Sequence, residues 1–316
     1  MQFQVNVEEL RKKPFMVATP AYGGLVGVPY HISNIDLINR CASLQISIRH
    51  CLIENESLIT RARNNIIKIF MESPIDHLIF IDADIKFAAD DVITLLALCD
   101  EKNPVVCAGY AKKGIKWDLV TSAVKHGVKP EDLSNFIDNP VFNFIPNDTG
   151  VHRFNLNEPI EVLDSGTGFM MIHKSAIKRM IEAYSSMYYY PDYTIGHNDF
   201  DNAEDKRVFA FFDTAVVKDE ISRVMSQGDD SRRYLSEDYY FCHLFRKLGG
   251  KILLVPWIQL GHHGTFLYKS NPVQVLQLRQ QEYLEKTQQV NIESSNATPA
   301  KLSEISEAFK TIGEQS

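Results

Sequence analysis

Two aspartates separated by one small residue, Asp82-Ala83-Asp84, follow directly on the apolar run Leu78-Ile-Phe-Ile. A short run of this kind reads as a central parallel strand. Open α/β sheets bind ligands outside the carboxyl ends of their strands, so both carboxylates can face one crevice. Hard oxygen ligands of this type suit Mg2+ or Mn2+. The chain carries a formal net charge of -7, so a phosphate-bearing ligand gains nothing from the global field. At ~4 Å and an effective dielectric of ~20, each carboxylate–phosphate pair costs roughly 4 kcal/mol. A bridging dication reverses that sign and stabilises charge developing on a leaving diphosphate. The competing explanation is structural, a strand end that caps the next helix or pairs with a lysine.

Further groups lie later and earlier in the chain. Glu237-Asp238 follows Ser236, where acidic residues favour a first helical turn. Asp238 is also a candidate general base for an attacking hydroxyl. Gly261-His262-His263-Gly264 follows the run Lys251–Pro256, and either histidine can complete the coordination of an ion at Asp84. Arg61, Arg63 and Asn64 lie on a helix before the aspartate strand, placed either to reach a base, ribose or phosphate or to be solvated. Lys113, with Lys112, follows the strand that ends at Gly109 and can meet a phosphate. Gly166-Thr167-Gly168 lets a backbone approach a ligand closely, or marks a bend or bulge.

The surrounding pattern alternates strands and helices. Strands are expected at 14–21, 43–53, 77–82, 104–109, 160–163, 168–172 and 251–256. Helices are expected from Ser57 to about Met71, over 90–99 and 174–183, and from Ser236 to the stop at Gly249-Gly250. This is an α/β order with crossover helices. Residues 116–158 read as an irregular excursion and 185–228 as a substrate-covering region. The helix expected over 273–283 is a candidate dimer contact. One domain is expected over 1–290, with a donor half at about 14–115 and an acceptor half at about 160–270. A polar peripheral tail follows over 291–316.

The 316 residues are 45% hydrophobic and 23% charged, ordinary for a globular protein that buries its core without disulfides. The acidic balance argues against nucleic acid as a partner. Five cysteines with no zinc or disulfide spacing read as buried thiols in a reducing, cytoplasmic setting. No stretch approaches the ~18 apolar residues of a membrane span.

The ordered set of motifs adds a resemblance. Thr19-Pro-Ala-Tyr22, Arg61-Ala-Arg-Asn64, Phe80-Ile-Asp-Ala-Asp84, Gly109-Tyr-Ala-Lys-Lys113 with Trp117, Gly166-Thr-Gly-Phe-Met170, Leu235-Ser-Glu-Asp-Tyr239 and His262-His-Gly264 occur in that order. Together they resemble GT-A nucleotide-diphospho-sugar transferases, especially those of bacteria, phages and large DNA viruses. The Arg-Asn helix and Asp-Ala-Asp also resemble the fungal mannan-polymerase type. The resemblance covers about residues 15–270 and implies a Rossmann-like mixed sheet, mostly parallel, flanked by helices. It implies sugar transfer from a nucleotide diphosphate sugar to a glycan, lipid-linked or protein hydroxyl, with Mn2+ or Mg2+ as cofactor.

The resemblance also implies roles. Thr19, Ala21 and Tyr22 would line the nucleoside pocket, and Lys113 would sit near the donor. Asp82, at the Asp-Ala83-Asp motif, would touch ribose or a metal-bound water, and Asp84 would ligate the metal. His262 matches the metal-ligating histidine, with His263 as competitor. Asp238, beside Glu237, matches the base of inverting members, although this pair also occurs in retaining relatives. Trp117, Gly166, Thr167 and Gly168 would border the sugar and acceptor. A haloacid-dehalogenase-type phosphatase using Asp82 as nucleophile, a sugar nucleotidyltransferase and a non-catalytic glycan-binding protein are the rivals. The phosphatase motif normally carries Thr or Val where Lys86 stands.

Overall fold

The structure, a computed structural model, describes residues 6–147, 153–191, 206–218, 232–265 and 273–274. The chain divides into two compact units, Met1–Gly264 and Thr265–Ser316, and every element below lies in the first. The expected tail over 291–316 and most of the expected helix over 273–283 lie outside the described residues, as does most of 185–228.

In chain order the first elements are α1 (Val7–Arg11), β1 (Phe15–Ala21), α2 (Val28–Leu44), β2 (Ile48–Glu54), α3 (Ile59–Glu72), β3 (His77–Ile81) and β4 (Ile85–Lys86). Next come α4 (Ala89–Leu98), β5 (Val105–Cys107), α5 (Trp117–Lys125), β6 (Phe142–Phe144), β7 (Ile160–Ser165), β8 (Phe169–His173) and α6 (Lys174–Ala183). The last are β9 (Tyr188–Tyr189), β10 (Val208–Phe209), β11 (Ala215–Val217), β12 (Arg233–Leu235), α7 (Glu237–Lys247), β13 (Ile252–Leu254) and β14 (Gly261–His262).

Eight strands form one sheet in the order β2-β1-β3-β8-β5-β13-β7-β6. The pairs β1–β2, β1–β3 and β5–β13 are parallel, whereas β8 runs against β3 and β5, and β7 against β13 and β6. Only β7 and β8 therefore oppose the common direction. This is the mixed, mostly parallel α/β sheet the motifs imply.

Alternation along the strands builds a core on each face. Met16, Ala18, Leu78 and Phe80 meet Ile66 and Phe70 of α3, Ile177 of α6 and Phe241 and Phe245 of α7. Phe15, Val17, Ile79 and Ile81 meet Leu37 of α2 and Leu95 of α4 on the other face. Ala62, Ile66 and Phe70 recur at helical spacing, which is why α3 lies flat on the sheet.

Three expectations need correction. The strand expected to begin at Ser43 begins at Ile48, because Ser43 and Leu44 finish the 17-residue α2. That helix escapes a periodicity reading because Val28, Ile32, Ile35 and Ile38 are exposed while Tyr30, Ser33, Leu37 and Cys41 are buried. Apolar residues on both faces erase the stripe. The region expected to be irregular from 116 contains α5 and the edge strand β6, and α3 is capped by Leu58 instead of Ser57. None of the five cysteines is in a disulfide; four are buried as expected and Cys51 is half-buried.

His77, at the start of β3, is 5% exposed, with Nε2 3.3 Å from the Cys99 carbonyl and its ring 4.9 Å from that of His173. Burial, helped by His173 and Lys13, lowers it to about 4. The unfolded chain therefore takes up a proton first as pH falls. Stability from this residue is complete above ~6.5 and declines by up to about 3 kcal/mol as pH falls to the folded value near 4. Urea midpoints at pH 7 and pH 5 should differ less in His77→Leu than in the wild type. Equal differences would show that His77 carries none of the effect.

Candidate functional site

β3 ends at Ile81, and its two aspartates project from the carboxyl edge of the sheet. Asp82 is fixed by its own N–H, which donates to the Gly168 carbonyl at 3.0 Å across the β3–β8 boundary. Asp84 is fixed by a second pairing. β4 and β14 run antiparallel, with Gly261 opposite Lys86 and His262 opposite Ile85, and the His263 N–H donates to the Asp84 carbonyl at 2.8 Å. A segment from late in the chain is thereby stitched beside the aspartates.

His262 Nε2 lies 3.5 Å from Asp84 Oδ1, and His262 Nδ1 lies 2.8 Å from the Ala111 carbonyl. A neutral imidazole has one N–H, and here it faces an acceptor at each nitrogen. A second proton or a metal cation at Nε2 resolves the conflict. Nδ1–H donated to a carbonyl with Nε2 turned to a carboxylate is the arrangement that orients a metal-ligating histidine. The ring of His263 lies instead beside Gly27, 3.6 Å from where a Cβ there would sit.

Lys113 donates to Asp84 Oδ2, and its stem crosses Gly264, where an added Cβ would lie 3.0 Å from Lys113 Cδ. Burial raises the Asp84 carboxyl, but the hydrogen bonds from His262 and Lys113 outweigh it and bring the group down to about 2. Asp84 is thus a fixed anion.

Around Asp82 the contacts are tighter. Asp82 Oδ1 accepts from Arg63 Nη2 at 2.9 Å, and Arg63 Nε reaches Glu237 Oε1 at 3.3 Å. Glu237 and Asp238 open α7, whose N-cap is Ser236 as expected. The Ser236 hydroxyl does not cap a backbone N–H; it donates to Asp238 Oδ1, which also accepts the Tyr239 N–H at 2.8 Å. Burial first, then the charge of Glu237, raises Asp238 to about 6 against the opposing pull of Ser236 and Arg63.

Tyr110, one position into the segment after Gly109, is a site residue the motif reading passed over. Its phenol accepts the Gly168 N–H at 3.1 Å, and its ring stands edge-on to His262 at 5.2 Å and 80°. Burial first, then Asp82 and Asp238, pushes its pKa up. A Cβ at Gly168 would lie 2.7 Å from the phenol oxygen and 2.8 Å from Asp82 Oδ2. A Cβ at Gly166 would collide with the same phenol. The glycines are therefore required by close approach and not by a turn. The available signal was position, since Tyr110 lies just past the carboxyl end of β5.

Several expected donor contacts lie elsewhere. Arg63 is 3% exposed and paired with Asp82 and Glu237 below the site surface. Asn64 is equally buried; its amide donates to the Phe212 carbonyl at 3.0 Å and accepts the Phe212 N–H at 2.9 Å, so it pins backbone. Arg61 forms a two-pronged pair with Glu56, both contacts at 2.6 Å. Thr19 is buried with its hydroxyl 2.7 Å from that of Tyr30. Arg63, Asn64 and Thr19 share a cause: a polar residue on an apolar helix face or strand is sealed in when that face packs, whereas Arg61 stays half-buried. Ala21 is buried at the end of β1, Tyr22 is 74% exposed in the following 3-10 turn, and the Ala83 carbonyl accepts the Gly27 N–H at 2.7 Å. Trp117 is exposed at the start of α5, and Thr167 is buried with no partner for its hydroxyl among the described residues.

No protein-family model and no curated protein matches this chain. Among solved structures it is similar to A197 from STIV, with 15% identity and a TM-score of 0.42 over 80% of this chain and 86% of that one. It is similar to GalNAc-T7, crystallised with UDP, GalNAc and Mn2+, at 10% identity and a TM-score of 0.37. That match covers 79% of this chain and 43% of the other, so the chain spans less than half of that protein. A glycosyltransferase involved in the glycosylation of the major capsid of PBCV-1 matches at 9% identity and a TM-score of 0.29, over 61% of this chain and 72% of that one. Likeness at this level assigns no role to any residue here.

The tight packing of the glycine loop is directly testable. Gly168→Ala must displace Tyr110 or Asp82, and overpacking of this kind costs about 1–3 kcal/mol. Its melting temperature should fall by several degrees. An unchanged value would show that the loop has room to spare.

Proposed function

We propose that the chain is a glycosyltransferase that uses a divalent cation to move a sugar from a nucleotide diphosphate donor to an acceptor hydroxyl. The observation that carries this reading is the meeting of Asp84 with His262, 3.5 Å apart at the carboxyl edge of the sheet, with Lys113 on the other carboxylate oxygen.

Asp84 Oδ1 and His262 Nε2 fit a divalent cation, because their spacing suits two adjacent ligands and the imidazole lacks a proton for both its acceptors. Among the described residues no three His, Cys, Asp or Glu side chains form a closed metal cage. Two protein ligands leave the remaining positions to phosphate oxygens and water, as Mg2+ sites on phosphate substrates commonly do. Bound there, Mg2+ or Mn2+ would neutralise the diphosphate and stabilise the charge it gains as the sugar leaves.

The chain's own groups supply the rest. Lys113 brings a second cation to the diphosphate side. Tyr22, exposed at the end of β1, offers a ring to the nucleoside. Tyr110 and the glycine loop wall the space beside Asp82, and Trp117 presents an exposed ring to a sugar or acceptor. Asp238 takes the acceptor proton while the hydroxyl oxygen attacks the anomeric carbon and the bond to diphosphate breaks, which inverts that centre. Its raised value near 6 places the base close to the working pH. The acceptor is a glycan, lipid-linked or protein hydroxyl. A phosphatase would need Asp82 as a free nucleophile, yet Arg63 holds one of its oxygens and Gly168 is packed against the other.

Mn2+ with a matching member of a UDP, GDP, CDP and dTDP panel should raise the melting temperature. Saturation at a hundredfold excess over Kd corresponds to about 2.7 kcal/mol. Asp84→Ala should abolish the gain. No response to any of the four with Mn2+ would sink the proposal.

Asp238 must be ionised to act. The rate should therefore fall as pH drops below about 6 and level off above it. Asp238→Asn should lower turnover by orders of magnitude and leave nucleotide affinity nearly unchanged. Loss of nucleotide binding in that variant would assign Asp238 to structure instead.

A further inference from the structure

We propose that Arg63 is a positioning residue: a buried brace that fixes the carboxylates of Asp82 and Glu237 relative to one another and touches neither donor nor acceptor. The transferase reading enters only in what the braced groups do.

Arg63 lies on the face of α3 that packs against the sheet, beside Ala62 and one turn before Ile66 and Ile67. Its guanidinium stands over the Phe80 ring at 5.2 Å, so one flat face is covered by an aromatic side chain. Nη2 is used by Asp82 at 2.9 Å and Nε by Glu237 at 3.3 Å. Nη1 is buried with no partner among the described residues. Two nitrogens of the fork are thereby committed to acids, and the third is sealed from solvent.

The two braced acids come from opposite ends of the fold. Asp82 follows β3, 19 residues after Arg63 in sequence, and Glu237 opens α7, 174 residues after it. Among the described residues no other hydrogen bond joins these two carboxylates. A rigid planar fork can hold two oxygens at set directions, which a lysine ammonium cannot. Buried ion pairs contribute little net stability compared with apolar packing, so placement is the better reason for such a group here. The cluster also carries two acids for one cation, and Asp238 adjoins it. Burial disfavours the charged guanidinium, but Asp82 and Glu237 dominate and keep Arg63 cationic.

Two measurements decide the matter. The first compares crystal structures of the unliganded wild type and Arg63→Lys. Lysine reaches one acid only, so the carboxylate of Asp82 or Glu237 should move by roughly an ångström or more. Both carboxylates unmoved would overturn the brace. The second titrates whichever of UDP, GDP, CDP or dTDP responds in Mn2+ against Arg63→Met, Asp82→Asn and the double variant. Acting through Asp82, Arg63→Met should weaken affinity roughly tenfold alone and less than about twofold in the Asp82→Asn background. An equal loss in both backgrounds would mean that Arg63 binds the nucleotide directly, and no loss in either would mean that it positions nothing; each overturns the proposal. If Arg63→Met does not fold, Arg63→Lys runs through the same cycle. If the wild type binds none of the four nucleotides, the transferase reading fails, and the crystal comparison alone still decides the brace.

Discussion

Negative charge gathered at one edge of a sheet must be held apart or neutralised, and the site is organised around how that is done. Asp82, Asp84, Glu237 and Asp238 come from the end of β3 and the start of α7. They meet three different compensations. Asp84 has the Lys113 ammonium and the His262 ring. Asp82 and Glu237 share the buried Arg63. Asp238 has hydrogen bonds from Ser236 and the Tyr239 N–H and a pull from Arg63, and its burial leaves it more easily protonated than Asp84. One fold edge thus presents a permanently ionised carboxylate and a poised one, which is the separation acid–base chemistry needs.

The sheet topology makes this spacing possible. β8 runs against β3, so its entry loop, Gly166-Thr167-Gly168, arrives at the same edge as the exit from β3. Parallel pairing there would carry that loop to the far end of the sheet. Tyr110 then fills the gap between loop and aspartates, with its phenol on Gly168 and its ring edge on His262. The phenol therefore links the glycine loop to the His262–Asp84 pair. Its environment is also why neither glycine can carry a side chain.

How much was readable in advance depended on the range of the interaction. The Asp82-Ala83-Asp84 motif, the strand before it and the helix starting after Ser236 are local features, set by hydrophobic runs and end signals within a few residues. They appear where the residues place them. The helix α2 did not announce itself because its exposed Val28, Ile32 and Ile35 are as apolar as its buried Tyr30 and Leu37. Arg61, Arg63 and Asn64 read alike as a basic, polar patch on one helix, yet they end in three different situations: a half-buried pair with Glu56, a buried brace and a backbone clamp.

The sequence by itself determined the chemistry available: hard carboxylates at a strand end, an imidazole pair late in the chain and an acidic helix start. Only the tertiary structure decided which of these meet. His262 rather than His263 faces Asp84 because the β4–β14 register turns it there, and Arg63 meets Glu237 across 174 residues of chain. Side-chain type is written residue by residue. Proximity follows from which strands pair and which faces bury, and those are set by segments far apart in sequence.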